Sequence, residues 1–328
     1  MNNAAKLVAY ATALVLVAGG AWGIGALVGP VAVPTGGSSE AEHGGSAVHP
    51  SEPAAHTGRD TPAPVVPAGL SSVANGYTFA PLTTTLPAGG GVFAFRILGP
   101  DGRPVTTFET VHEKPLHLVV VRRDTAVFRH VHPTMAPDGT WQVHLDLLEA
   151  GSYRAFADFT PTDGPATTLG TDLAVPGTFT PHSFPISRVA EVDGYRVHLA
   201  GDLVAGGHST LTVTVTRDGR PVTDLQPYLG AYGHLVVLRT GDLAYVHVHP
   251  EGVPGDGRTS SGPDVTFSVE VPTAGTYRLY LDFAHEGVVR TVDFTLDTGT
   301  GPGAGAPQPS GGAGHGDHDH DSTPHGHN

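Results

Sequence analysis

The 328-residue chain has no cysteine. It therefore cannot build a disulfide framework, a thiol nucleophile, an iron–sulfur cluster or a blue-copper centre, all of which need cysteine sulfur. Charge is scarce as well: 15% of residues are charged, with 17 Lys+Arg against 31 Asp+Glu and a formal net charge of −14. The basic residues are spread thinly and form no cluster, so nothing is available to neutralise a phosphate backbone, and nucleic acid is excluded as a partner. Sulfur ligands of the other kind are also rare, with 2 Met in the whole chain. What is plentiful is Gly (45), Pro (29) and His (20). Much Gly and Pro with little charge favours short strands joined by turns over long charged helices, which predicts an all-β protein.

One long apolar run stands apart. From Leu7 to Val33 there is no charged residue, enough to cross a bilayer as a helix of about 20 residues. Lys6 is the only charge before it, so the positive-inside rule places the N-terminus in the cytoplasm and the rest outside. The competing reading is a cleaved signal peptide with Gly19-Gly20-Ala21 as a small-residue site, and both readings export the protein. Residues 34–75, rich in Pro, Gly, Ser and Ala with scattered His43, His49 and His56, read as a disordered tether, with a root-mean-square reach of roughly 35 Å. Residues 298–328 read as a second disordered segment, a His/Asp-rich tail carrying His315, His318, His320, His325 and His327 that would scavenge divalent cations weakly.

Between these ends the sequence repeats. Asp101-Gly-Arg-Pro-Val105 recurs as Asp218-Gly-Arg-Pro-Val222, His117-Leu-Val-Val-Val121 as His234-Leu-Val-Val-Leu238, and His130-Val-His132-Pro133 as His247-Val-His249-Pro250, all at an offset of 117. Ala150-Gly-Ser-Tyr-Arg154 and Asp158-Phe159 recur at an offset of 124, as Ala274-Gly-Thr-Tyr-Arg278 and Asp282-Phe283. Seven residues are therefore inserted in the second copy, most simply between Glu251 and Pro263. In each copy apolar runs separated by turn signals predict an antiparallel sandwich. The expected architecture is two tandem immunoglobulin-like β-sandwich modules, which resemble the cupredoxin or CopC-like kind, after an N-terminal transmembrane helix: module 1 over 76–176, a linker over 177–193 and module 2 over 194–297. Expected strands include Leu116 to Arg122, Thr125 to His132, Tyr232 to Arg239 and Asp242 to His249.

If Arg123-Asp124 forms the hairpin loop, Arg122 pairs with Thr125 and His117 lies across from His130. With Thr240-Gly241 as the loop, Arg239 pairs with Asp242 and His234 lies across from His247. Opposed side chains have Cβ atoms about 4.5–5.5 Å apart, and residues two apart share a face. So His117, His130 and His132 are expected to meet, as are His234, His247 and His249. Three imidazoles on one face are poorly explained by packing, because each buried ring needs a partner and protonated rings repel. A shared metal ion removes both difficulties. All-imidazole ligation suits Zn(II), Cu(II) or Ni(II); the expected ions are Cu(II) or Zn(II). Asp158 and Asp282 are candidate fourth ligands or groups that orient a His ring. Met135 aligns with Gly252 and cannot be a shared ligand. The apolar neighbours Val119, Phe128, Val236 and Tyr245 leave open a metal-free cluster at a core margin. His144 reads as solvated, and His112, His182, His198, His208 and His285 lack a counterpart in the other copy.

The segment Leu225-Gln-Pro-Tyr-Leu-Gly-Ala-Tyr-Gly-His-Leu-Val236 with His247-Val-His-Pro250, and Glu113-Lys-Pro-Leu-His-Leu-Val-Val120 in the first copy, resemble a family of exported bacterial two-repeat proteins. An exported immunoglobulin-like sandwich with His ligands is also distantly similar to the CopC-like and YtkA-like proteins, which implies a role in copper handling. The chain departs from CopC-like proteins in lacking their N-terminal His and Met-rich loop. The first expectation is a membrane-tethered extracytoplasmic protein with a three-His site in each module, serving metal tolerance or delivery, with a metal transporter or copper enzyme as partner. Its rivals are a metal-dependent enzyme using three His and an open coordination position, and a metal-free adhesion or scaffold protein.

Overall fold

The computed structural model describes residues 67–147 and 149–299. The expected anchor over 1–33, the tether as far as residue 66 and the tail His residues lie outside the described residues. Every regular element among the described residues is a strand. The first repeat contains β1 (Val73–Ala74), β2 (Tyr77–Pro81), β3 (Gly91–Leu98), β4 (Leu116–Arg122), β5 (Phe128–Val131), β6 (Thr134–Met135), β7 (Thr140–Leu145), β8 (Gly151–Phe159) and β9 (Thr167–Val175). The second contains β10 (Val189–Val192), β11 (Tyr195–Ala200), β12 (Leu203–Val204), β13 (Gly207–Arg217), β14 (Arg220–Pro221), β15 (His234–Arg239) and β16 (Tyr245–Val246). It continues with β17 (Val248–Pro250), β18 (Asp264–Val271), β19 (Thr276–His285) and β20 (Val288–Gly299). The stretch expected as a linker is thus partly ordered, since β10 pairs with β11.

Each repeat is a sandwich of two sheets. In the first, β1-β2-β3-β7-β6 packs on β5-β4-β8-β9; in the second, β10-β11-β13-β18-β17, with β14 on β13, packs on β12-β20-β19-β15-β16. Strand alternation explains the first core: Phe93, Phe95 and Ile97 point inward from β3 and meet Leu118, Val120 and Tyr153 of the opposite sheet. Val213, Val215 and Phe267 do the same against Val237, Leu279 and Phe294 in the second.

β4 is buried along its whole length, which its continuous apolar run already suggests, because a strand buried on both faces loses its alternation. Leu116, Leu118 and Val120 face their own core. Val119 and Val121 face the other way and join Phe156, Val236, Leu238, Leu243 and Tyr280 in a third cluster that spans both repeats. Phe128 stacks on Tyr280 with centroids 4.0 Å apart, and the Tyr280 hydroxyl donates to the Thr125 carbonyl at 2.6 Å. An aromatic pair of this kind contributes about 0.5–1.5 kcal/mol beyond the area it buries. The two sandwiches therefore pack through β4–β8 and β15–β19, and the face that carries His117 and His234 is their interface.

The hairpin register differs from the expected one. Arg122 pairs with Val127 rather than Thr125, and His130 lies opposite Val119, not His117. In the second repeat Arg239 pairs with Ala244 rather than Asp242, and Tyr245 lies opposite Leu238. The cause is in the loops. Asp124 takes two hydrogen bonds from the Arg122 guanidinium at 2.7 and 2.8 Å and one from the Ala126 amide, which holds four residues out of the ladder. Asp242 does the same for Arg239 and Ala244, and one residue in each loop, Thr125 in the first and Leu243 in the second, adopts left-handed φ, 67° and 64°. A shift of two positions preserves the face of every side chain that stays in the ladder, so His117 and His130 still share a face.

Candidate metal centre

Two cross-strand rows build the centre. Thr168, Asp158 and His117 lie side by side across β9, β8 and β4. Thr291, Asp282 and His234 repeat the row across β20, β19 and β15. Packing the sandwiches face to face brings the rows together, and the hairpin strand β5 carries His130 between them. There His130 Nδ1 donates to Asp282 Oδ2 of the other repeat at 2.8 Å, in a pair whose side chains are 2% and 5% exposed. Thr291 donates to the second oxygen of the same carboxylate.

The hydrogen bonds fix the tautomers. His117 Nε2 faces the Val111 carbonyl at 2.9 Å, and a carbonyl only accepts, so this nitrogen holds the proton and Nδ1 keeps a lone pair. His130 holds its proton on Nδ1 toward Asp282, which leaves a lone pair on Nε2. These two bare nitrogens face each other at 3.2 Å, and His132 Nε2 also lies 3.2 Å from His117 Nδ1. One proton on His132 Nε2 can satisfy one of the two contacts; the other remains lone pair against lone pair. Protonating the rings is opposed by burial, which holds His117 down to about 4 and His132 down to about 3, assisted by the neighbouring imidazoles.

A cation placed between these nitrogens would remove the repulsion. Four nitrogens at a Zn–N distance of 2.0–2.1 Å sit about 3.3 Å apart around a tetrahedral ion, close to the observed spacing. A fourth imidazole is at hand from the second repeat. His117, His130 and His234 each offer a ligand atom within 4.8 Å of the others, and the His234 ring stacks on His130 with centroids 4.8 Å apart. His234 Nδ1 is shut from solvent and has no hydrogen-bond partner among the described residues. Desolvation pushes its pKa well down, so it too is a neutral donor.

The expected grouping is therefore redistributed. His117, His130 and His132 come together, but His234 joins them instead of His247 and His249. Those two are exposed, with rings 4.6 Å apart. The chain leaves the β15 sheet after Val246 and pairs β17 with β18 of the opposite sheet, so His249 lies against Ser268. Asp282 holds a His ring; Asp158 accepts from Thr168 at 2.8 Å, and burial raises its pKa. His144, His182, His198 and His208 are exposed. His285 is buried with Tyr195 and Asp224 as its partners.

Sequence reasoning passed over His112 because it has no His counterpart. Its ring lies 6.1 Å from that of His117 and 5.6 Å from that of His234. The readable signal was a different one: His112-Glu113 stands where the second copy has Leu229-Gly230, and both pairs adopt left-handed φ, 48° and 64° against 55° and 77°. A turn of this kind favours Gly and Asn, so a His-Glu pair in it calls for a reason.

No curated protein matches the chain. Similar solved structures include an alpha-2-macroglobulin of Salmonella, at 15% identity over 70% of this chain with a TM-score of 0.24. Another is the N-terminal Ig1-2 module of the Drosophila receptor protein tyrosine phosphatase DLAR, at 12% identity over 68% of this chain and 98% of that one, with a TM-score of 0.19. The chain spans 15% of the macroglobulin's length, and likenesses this distant carry no argument about the site. The family described as domain of unknown function DUF8832 matches twice, over residues 72–177 and 190–300, once for each repeat, and the chain belongs to that family.

Proposed function

We propose that this chain is a membrane-tethered, extracytoplasmic metal-binding protein that holds Cu(II) or Zn(II) between its two repeats, for metal tolerance or for delivery to a metal transporter or copper enzyme. The observation that carries this reading is the pair of bare nitrogens of His117 and His130, 3.2 Å apart, each aimed by a hydrogen bond on the far side of its ring. A ligating His is ordinarily oriented through its second nitrogen by a carbonyl or carboxylate, and here one ring has each kind. His132 and His234 complete a set of up to four neutral donors, which suits Zn(II) or Cu(II) better than the harder cations. The net charge of −14 favours cation capture. The charge-free run from Leu7 to Val33 supports export and tethering, and the distant likeness to CopC-like proteins supports copper handling.

The test uses the full chain with the five tail His replaced by Ala, loaded with Zn(II) or Cu(II) and desalted. The protein is expected to retain tightly held metal, and His117→Ala with His130→Ala to lose one equivalent. A chain that retains no metal once the tail His are gone, or a double variant that retains all of it, overturns the reading.

A further inference from the structure

We propose a second divalent-cation site in the cavity between the repeats, with His112, Asp158 and His247 as its ligands and chemistry suited to Zn(II). It uses none of the bare nitrogens of the first centre. The cavity has a volume of about 280 Å3; His112, Asp158, His247 and His249 line it together with His117 and His234 of the first centre, and Lys114 lies beside them.

Three observations converge there. The first is the repeat itself. His130 is seated on Asp282 of the other repeat, and the counterparts of these two residues are His247 and Asp158. Both line the same cavity from opposite repeats, yet among the described residues Asp158 has a hydrogen bond only from Thr168. The pair closed by a hydrogen bond in one half is open in the other, with a cavity between its members. The second is the pairing of His247 with His249, whose rings meet edge to face at 4.6 Å and 74°. The third is the turn that carries His112. Hydrogen bonds of 3.0 and 3.1 Å between Val111 and Lys114 close it, with His112 and Glu113 at φ of 48° and 64°. Left-handed backbone costs a residue other than Gly roughly 1–2 kcal/mol, and such strain persists where the surroundings hold it for a purpose. In the second repeat the same turn places buried Leu229 and a glycine; in the first it places an imidazole on the cavity wall. Two imidazoles and a carboxylate with room for water make up a common Zn(II) donor set. Lys114 is the one cationic side chain on the wall, and Asp158 is the one carboxylate.

Zn(II) alone is the probe, with the metal count per chain after desalting as the readout, on the full chain with the five tail His replaced by Ala. His247→Ala removes an exposed side chain, and His112→Asn keeps a residue that tolerates left-handed φ, so both variants retain the fold. Each is expected to lose one Zn(II) that the His117→Ala/His130→Ala double variant keeps. If both variants bind as much Zn(II) as their parent, the second site is overturned. If they lose one ion while the double variant loses none, the second site stands and the first centre is the one that fails.

Discussion

The same His-x-His-Pro string has opposite fates in the two repeats. In the first, β5 stays on β4 through Val131, and His130 is carried into the interface to meet a buried carboxylate. In the second, β16 is two residues long, the chain crosses to the other sheet at His247, and both histidines of the string remain exposed. In the first repeat the chain makes the same crossing only after His132, where β6 pairs with β7. A repeat in sequence therefore yields complementary halves: one supplies the buried His of the string, the other the Asp that orients it. The comparison makes a large claim about His130 and His247, which the sequence treats as equals. Leaving a buried carboxylate without the ring N–H that it accepts costs about 1–3 kcal/mol, with charged groups at the upper end, whereas exposed positions cost within about 0.5 kcal/mol. His130→Ala should lower the metal-free unfolding free energy by about 3 kcal/mol, and His247→Ala should leave it almost unchanged. Urea denaturation of both variants measures this; equal losses would break the asymmetry.

The buried half should also respond to acid. Burial holds His117 near 4 in the folded state, against about 6.5 in the unfolded chain, and His132 and His234 are displaced in the same direction. The imidazoles of His112 and His130 and the ammonium of Lys114 face His117 and add to the effect. A depressed histidine means that the unfolded chain takes up a proton which the folded one refuses. The stability is complete above about pH 6.5 and is lost as pH falls toward about 4. For His117 this amounts to about 3 kcal/mol. Metal-free protein should therefore show urea midpoints that fall steeply between these pH values, and His117→Leu should flatten part of the slope. A midpoint independent of pH over this range would mean that the ring is solvated.

The fold was legible where pattern alone decides. Leu116 to Arg122 was read to the residue, because a continuous apolar run bounded by turn residues marks such a strand without tertiary help. The register of the hairpins was not, since it depends on Arg122 and Arg239 chelating a loop Asp, a contact invisible in a count of loop residues. Parity saved the site: a two-residue error leaves His117 and His130 on one face. The cross-repeat partners were illegible for a different reason. That Val119, Phe128, Val236 and Tyr245 share a face with the histidines was plain, but whether that face meets solvent, its own core or the other repeat depends on docking two sandwiches, which no periodicity encodes. Asp282 was therefore legible only as a candidate fourth ligand or ring-orienting group, and that its His belongs to the other copy was not legible at all.

Asp282 and Asp158 offer a finer test, because they occupy equivalent places beside His234 and His117. Groups that orient a ligating His typically matter 10–100-fold in metal affinity. Asp282→Asn should weaken the first ion by about that factor, while Asp158→Asn should change it by less than about threefold and act on the second ion instead. Competition titrations with a Zn(II) chelator separate the two. The same loss in both variants would mean that the carboxylates act through long-range charge rather than through a held ring.

The smallest effect belongs to the turns. Glu113 has φ of 64°, and its counterpart Gly230 has φ of 77° in the same closed turn. A glutamate there bears the crowding of Cβ against the carbonyl that glycine avoids, roughly 1–2 kcal/mol, while glycine returns part of that gain through the greater freedom of its unfolded chain, about 0.4–1 kcal/mol. The difference leaves Glu113→Gly stabilising by about 0.5–1 kcal/mol. Glu113 is exposed, so no buried contact is lost with it. A gain in urea midpoint with Zn(II) binding intact would show that the turn's strain is separable from its role in holding His112. A loss of midpoint would show that Glu113 makes an interaction in the fold that outweighs its backbone.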